Sequence, residues 1–229
     1  MRKKIMAVCL AASLVSTLTG CQDLNYIEPD TSTDTIQIEQ TAGDVKTPSL
    51  SQEIPVKDED FSLVCTYDIN KKVLENWRVT DSKDVGMDVH TKNLPKGYDC
   101  YIDHVHADIS LKATTAQING ISQDSMDDTF HGQNQDGFGV GNDMHYYNIF
   151  NIDGYTDQFY QIWGHAFGSY GHVSSSYQRL TEYNILKVGT YAEQLTVVYD
   201  ISIKKPGSNK LYTKSVISKI LIPVSGAEK

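Results

Sequence analysis

The sequence predicts an all-β fold, namely an antiparallel β-sandwich with short helical turns, preceded by a disordered tether. Residues 61–229 contain seven short runs with strand-like alternation or a high content of β-branched and aromatic residues. Helical periodicity is nearly absent, and strong turn residues separate the last two runs. Many short strands in a chain of this size are typical of two packed sheets rather than of a helical or α/β fold.

The first 20 residues have the pattern of a signal peptide. A basic segment, "RKK", precedes a mostly apolar stretch at residues 5–18, which is too short to span a bilayer comfortably. The stretch ends in a motif that resembles the lipobox of bacterial lipoproteins, Leu18, Thr19, Gly20 and Cys21. The resemblance implies that residues 1–20 are removed and that Cys21 carries diacylglycerol and palmitate. An ordinary secretory signal that ends in Gly-Cys is the alternative.

A lipid on Cys21 predicts a lipid-anchored protein on the extracytoplasmic face of the cell membrane. Each acyl CH₂ group buried in the bilayer contributes about 0.8 kcal/mol, so two chains anchor a protein far more firmly than one. No later segment approaches the roughly 20 apolar residues of a spanning helix. We therefore expect the membrane to be a partner through the lipid alone.

The chain is acidic, with a formal net charge of -9. Because residues 1–20 hold three bases and no acid, the mature chain carries -12. This charge argues against nucleic acid as a partner.

The lipidated N-terminus and linker, residues 21–60, are rich in Ser, Thr, Asp, Glu and Gln. We expect this segment to be a disordered acidic tether, because it has too few apolar residues to offset the entropy of ordering.

The folded domain is predicted to span residues 61–229, with short helices at residues 71–77 and 122–129. The predicted strands in chain order are "FSLVCTYDI", "VGMDVHT", "YIDHVHADISLKAT", "YYNIFNI", "QFYQIWGHAF", "QLTVVYDISIKK" and "LYTKSVISKILIPV". The last two are joined by "PGSN", which favours a hairpin. One face of the first strand of this hairpin is apolar, with Leu195, Val197, Tyr199, Ile201 and Ile203. The hairpin resembles the Ig-like, telokin-type domains of bacterial surface lipoproteins, and this resemblance implies an Ig-like sandwich.

Two cysteines, Cys65 and Cys100, remain in the predicted domain. Disulfides persist outside the cytoplasm, so we expect these residues to form one. The bond would close a loop of about 35 residues and stabilise the fold by roughly 3–4 kcal/mol. The alternative is two buried free thiols, which behave as small hydrophobic groups.

The segment "DHVHAD" contains the candidate metal ligands. On a strand, His104, His106 and Asp108 lie on one face, and the two histidines are about 6.6 Å apart. Imidazoles at this spacing can converge on zinc, the candidate cofactor. Four other histidines are alternative third ligands, namely His131, His145, His165 and His172. The competing interpretation is a solvated polar face of the strand, because the intervening Val105 and Ala107 are apolar.

Aromatic residues between His131 and His172 suggest a binding surface, since tyrosine and tryptophan offer an apolar ring with a polar tip. The candidates are Tyr146, Tyr147, Tyr155, Tyr160, Trp163 and Tyr170.

We therefore predict a surface protein that binds an extracellular or envelope protein. A metal-binding lipoprotein is the alternative. An extracytoplasmic hydrolase ranks third, because G-x-S-x-G, H-E-x-x-H and P-loop patterns are absent and nothing singles out a catalytic residue.

Overall fold

A computed structural model of the chain describes residues 37–41, 48–116, 118–130, 137–154 and 181–227. The described residues form two mainly antiparallel sheets that pack as a sandwich, which confirms the predicted fold class. The strands of the six-stranded sheet are β1 (Gln37–Thr41), β5 (Asp99–Ala113), β6 (Ser122–Thr129), β7 (Phe138–Val140), β9 (Thr190–Lys204) and β10 (Leu211–Pro223). Their order is β1-β10-β9-β5-β6, and β7 pairs with β5. Only β1 and β10 are parallel among these described strands.

The second sheet has four antiparallel strands in the described residues. They are β2 (Ser49–Pro55), β3 (Ser62–Ile69), β4 (Lys83–Lys92) and β8 (Tyr146–Ile152), in the order β2-β3-β4-β8. Alternate residues of β3 and β4 point toward the other sheet, and the residues between them face outward. The outer faces of the two sheets are therefore separate surfaces on opposite sides of the core.

The hydrophobic core lies between the two sheets and is continuous through both. The predicted inward face of β9 is confirmed, because all five of its residues are fully buried: Leu195, Val197, Tyr199, Ile201 and Ile203. The hydroxyl of Tyr199 lies 3.1 Å from that of Tyr67 on β3, which joins the two sheets at the centre of the core. The β9–β10 hairpin also forms as predicted, and Gly207 occupies its turn at a φ of 73°.

Two short helices are present among the described residues. Helix α1 (Lys71–Glu75) confirms the helix predicted at residues 71–77 and begins at Asn70, whose side chain accepts a hydrogen bond from the Lys72 amide at 3.0 Å. Helix α2 (Glu182–Lys187) begins with a capping box. The helix predicted at residues 122–129 is wrong, because this segment is the strand β6. Its backbone groups pair with β5, which decides the conformation of a sequence with little apolar content.

The domain begins earlier in the chain than predicted. Strand β2 lies inside the segment predicted as a disordered linker, residues 21–60, and pairs with β3 along its whole length. Leu50, Ile54 and Val56 are buried, and the Gln52 side chain donates a hydrogen bond to the carbonyl of Lys219 at 3.0 Å. The predicted boundary at Phe61 is therefore wrong. The polar residue Gln52 at a buried position interrupts the apolar pattern, so the period of two in this strand is not evident from the sequence.

Candidate functional site

The histidines of β5 face outward from the six-stranded sheet, as the alternation predicts. Val105 and Ala107 are fully buried, whereas the side chains of His104 and His106 are 30% and 39% exposed. Both rings therefore remain accessible to solvent or to a ligand.

The two histidines converge on Asp127 of the neighbouring strand β6. Oδ1 of Asp127 lies 3.0 Å from Nε2 of His104 and 2.9 Å from Nδ1 of His106. Asp200 of β9, which is paired with His104 on the other side, places Oδ2 at 3.3 Å from Nδ1 of His104. The ring of His104 is thus held between carboxylates from two adjacent strands.

This arrangement favours the protonated form of His104. Each of its ring nitrogens faces a carboxylate oxygen, and only the imidazolium has an N–H group on both nitrogens. Partial burial lowers the pKa of His104, but hydrogen bonds to Asp127 and Asp200 outweigh burial, so the pKa lies above its usual value. Hydrogen bonds from His106 and His104 in turn lower the pKa of Asp127. The cluster is therefore an ion-pair network in which a carboxylate lies between the two histidines.

The predicted metal triad of His104, His106 and Asp108 is not brought together. Asp108 instead accepts a hydrogen bond from the hydroxyl of Ser122. Within the described part of the chain, these three residues do not form a group of converging ligand atoms. Four residues along a strand span about 13 Å, which separates Asp108 from His104, so the prediction of Asp108 as a shared ligand is wrong. Of the alternative ligands, His131, His165 and His172 lie outside the described residues.

The remaining alternative, His145, belongs to a different cluster on the outer face of the four-stranded sheet. Asp88 and His90 alternate on β4, and His145 immediately precedes β8. Nδ1 of His145 lies 2.8 Å from Oδ1 of Asp88, and Nδ1 of His90 lies 3.7 Å from the same oxygen. The two imidazole rings are stacked, with centroids 4.2 Å apart. One ligand atom from each residue lies within 4.8 Å of the others, a spacing that suits a metal ion.

The structure describes two of the predicted binding-surface aromatics, and only one of them is exposed. Tyr147 is 61% exposed, whereas Tyr146 is only 2% exposed. The hydroxyl of Tyr146 donates a hydrogen bond to Asp128 at 2.9 Å, and its ring packs against Phe130 and Phe138. Tyr146 is therefore a core residue, because alternation on β8 turns it to the opposite side from Tyr147. The other four candidates lie outside the described residues, namely Tyr155, Tyr160, Trp163 and Tyr170.

Large apolar side chains other than the predicted aromatics are exposed near the start of β8. Ile149 shares the outer face with Tyr147 and is 46% exposed, and Met144 just before the strand is 57% exposed. Sequence alternation identifies the face of Ile149, but the exposure of Met144 depends on a loop conformation that no local pattern specifies.

The predicted Cys65–Cys100 disulfide is wrong, because both thiols are free and buried. Cys65 on β3 lies beside Tyr199, whereas Cys100 on β5 is paired with Ile203. Tyr199 and Ile203 are four residues apart on β9, which corresponds to about 13 Å along a strand. A disulfide needs a Cα–Cα distance of about 4.4–6.8 Å, so the alternative of two buried thiols is the one that the fold adopts. Cys21 lies outside the described residues.

A buried ion pair was not predicted from the sequence. The ammonium of Lys83 lies 3.4 Å from Oε2 of Glu193, and their side chains are 1% and 0% exposed. Trp77 donates a hydrogen bond to the same oxygen at 2.5 Å, and burial raises the pKa of Glu193. Lys83 also donates to the carbonyls of Arg78 and Asp81 at 2.6 and 3.1 Å. These contacts fix the chain between α1 and β4, and we assign them a structural role.

Comparisons with known proteins do not identify a family. No protein-family profile and no curated protein matches the chain. A solved protein from Archaeoglobus fulgidus is 9% identical, with 76% of this chain and 94% of that chain covered. Its TM-score is 0.26, which is too low to support an argument about fold or function. No helix in the described ranges is long and apolar enough to cross a membrane.

Proposed function

We propose that this protein is anchored by lipid to the extracytoplasmic face of a bacterial membrane and that its β-sandwich binds a protein partner. The observation that carries the anchor is the motif at residues 18–21 directly after an apolar, basic-flanked segment. The cysteine of this motif is the attachment point. The motif resembles a lipobox in both order and position, and acyl chains on Cys21 would provide the membrane affinity.

The proposed partner surface is the outer face of β8. Tyr147 and Ile149 are exposed there, and Met144 adds an apolar side chain at the entrance to the strand. Exposed apolar side chains gathered in one region are typical of protein interaction sites, and aromatic residues and Met are enriched in such sites. We therefore assign recognition to the four-stranded sheet rather than to the His104 face.

Lipid attachment is tested by labelling cells with radioactive palmitate. We expect label in the wild-type protein and none in the Cys21→Ser variant, which should also leave the membrane fraction. Cys9→Ser is the matched control, because it changes a cysteine in the signal segment without touching the motif. Retention of palmitate by the Cys21→Ser variant would contradict the anchor.

Partner binding is tested by photo-crosslinking in intact cells with a probe placed at Asn151, which lies on the same face of β8. We expect a discrete crosslinked species that disappears in a Tyr147→Ser/Ile149→Ser variant. Tyr183→Ser/Tyr191→Ser is the control, because these tyrosines are 64% and 41% exposed but lie elsewhere. Equal crosslinking in both variants would show that the outer face of β8 is not the interface.

A further inference from the structure

The strand register places Asp88, His90 and His145 next to one another on the outer face of the four-stranded sheet. Val89 is paired with Tyr146, so His90 and His145 are the next residues outward from this pair on their two strands. Both Val89 and Tyr146 are buried, so their neighbours point away from the core. Asp88 lies one strand repeat from His90 and faces the same side. The sheet itself therefore presents two imidazoles and a carboxylate together.

The geometry of this group is close to that of a metal site. In a tetrahedral zinc site with bonds of about 2.0–2.1 Å, neighbouring ligand atoms are about 3.3–3.4 Å apart. The three candidate ligand atoms already lie within 4.8 Å of one another. The rings of His90 and His145 are stacked, with an interplanar angle of 16°. Because a metal ion lies in the plane of the imidazole that binds it, at least one ring must rotate about its side-chain torsions for both to bind the same ion.

A second observation points to a ligand at this position. Nδ1 of His90 is buried and has no hydrogen-bond partner in the described part of the chain. The nearest carboxylate oxygen, Oδ1 of Asp88, is 3.7 Å away, which is too long for a hydrogen bond. A desolvated ring nitrogen without a partner costs free energy. Coordination of a cation by this nitrogen would remove that cost.

The donor set selects the class of metal. Two imidazole nitrogens and one carboxylate oxygen suit Zn²⁺ and its first-row neighbours, whereas Ca²⁺ and Mg²⁺ prefer oxygen ligands alone. The side chains of Asp88, His90 and His145 are 30%, 25% and 41% exposed, so solvent can reach the group. A water molecule can therefore complete the coordination of a metal held by three protein ligands.

We propose that Asp88, His90 and His145 bind one zinc ion on the outer face of the four-stranded sheet. The proposal does not depend on the lipid anchor, and it replaces the sequence-based triad on β5 as the metal site. Tyr147 is paired with Asp88 in the register, so the metal would lie at the border of the exposed apolar surface of β8.

The test is zinc titration of the full chain in detergent by calorimetry, with Co²⁺ absorption as a second readout of coordination. We expect one zinc ion per chain at this site, with affinity at least about 100-fold weaker in His145→Ala, because even outer-shell partners are worth 10–100-fold. The same loss should occur in His90→Ala. Intense visible bands of bound Co²⁺ should be lost in both variants.

His104→Ala/His106→Ala is the matched control, because it removes two strand-borne histidines from the opposite sheet. We expect this variant and Cys21→Ser to bind zinc as the wild-type chain does, which separates the metal site from the anchor. Unfolding curves of each variant exclude a loss of binding through misfolding. Zinc affinity unchanged in His145→Ala, or lost only in the control, would overturn the proposal.

Discussion

The protonation of His104 is set by carboxylates on both sides of its ring. Its folded-state pKa is raised, so the stability that the imidazolium provides is fully present below the unfolded value of about 6.5 and is lost as pH rises through the folded value. Asp127, whose pKa is lowered, remains charged throughout that range. The network is therefore strongest in mildly acidic solution and weakens toward alkaline pH.

Replacement of Asp127 by Asn should lower the pKa of His104 toward its ordinary value, because one hydrogen-bonded charge is removed. Titration of the histidine ring signals by NMR measures this change. Asp108→Asn is the control, because Asp108 contacts Ser122 on the same surface. Unfolding by denaturant should show a larger loss of stability for Asp127→Asn at pH 5.5 than at pH 8. An unchanged His104 titration in Asp127→Asn would contradict the network.

Lys83 should be far more important to stability than an exposed lysine in a similar pair. Lys83→Met leaves the buried carboxylate of Glu193 without its cation, and we expect a loss of about 3–5 kcal/mol. Lys92→Met is the control, because Lys92 and Glu53 form a pair with side chains 51% and 45% exposed. Such exposed pairs contribute about 0–1 kcal/mol. Denaturant unfolding measures both.

A double variant tests the reason for that loss. Lys83→Met/Glu193→Leu removes both charges, so it should be more stable than Lys83→Met alone. A Lys83→Met variant no less stable than Lys92→Met would show that the buried pair does not hold the segment between α1 and β4.

At the level of strands, β2 provides a direct test of the revised domain boundary. Ile54 is fully buried, and Ile54→Ala should cost about 2–5 kcal/mol in the free energy of unfolding. Glu53→Ala, one residue away on the exposed face, should cost less than about 1 kcal/mol. Thermal or denaturant unfolding distinguishes the two. If both variants lost little free energy of unfolding, and equally, β2 would not be part of the folded domain.

The sequence predicts strands well where burial imposes strict alternation. In β9, five alternate apolar residues specify both the strand and its inward face. In β6, the sequence "SQDSMDDT" has no such pattern, and pairing with β5 alone makes it a strand. Strand β2 is not evident from the sequence because the polar residue Gln52 occupies an inward position, where its side chain donates a hydrogen bond to the carbonyl of Lys219.

The candidate sites divide in the same way. Alternation correctly places His104 and His106 on one polar face, since that property is local to β5. Their shared contact with Asp127 depends on the register between strands. In the proposed metal site, Asp88 and His145 are 57 positions apart in the sequence. Only the pairing of β4 with β8 shows that they are neighbours.

At the scale of the whole molecule, the reactivity of the two cysteines measures whether the core between the sheets is intact. Cys65 and Cys100 lie on different sheets and are 0% and 2% exposed. Burial raises the pKa of Cys100 to about 12, so little thiolate forms near neutral pH. We expect neither residue to react with a maleimide in the native protein, and both to react together above the unfolding midpoint. Peptide mass spectrometry assigns the labelled positions.

Reductant provides the control for this experiment. Labelling in denaturant should be equal with and without prior reduction, because the thiols are already free. Labelling only after reduction would show a disulfide, and early labelling of one cysteine would show that the two sheets open separately.

The position of β9 at the centre of the larger sheet has a consequence for the order of events during synthesis. β5 joins β9 through residues such as His104 and Asp200, which are 96 positions apart, and β2 contacts β10 across 167 positions. β5 can pair with β6 and β7 as soon as these strands are made, but its long pairing with β9 requires the C-terminal hairpin. The cover over β3, where Tyr67 meets Tyr199 of β9, requires the same hairpin. The chain should therefore fold slowly, as non-local β-topologies do, and stay open until its last forty or so residues emerge. A polypeptide that delays closure in this way remains competent for threading through a translocation channel.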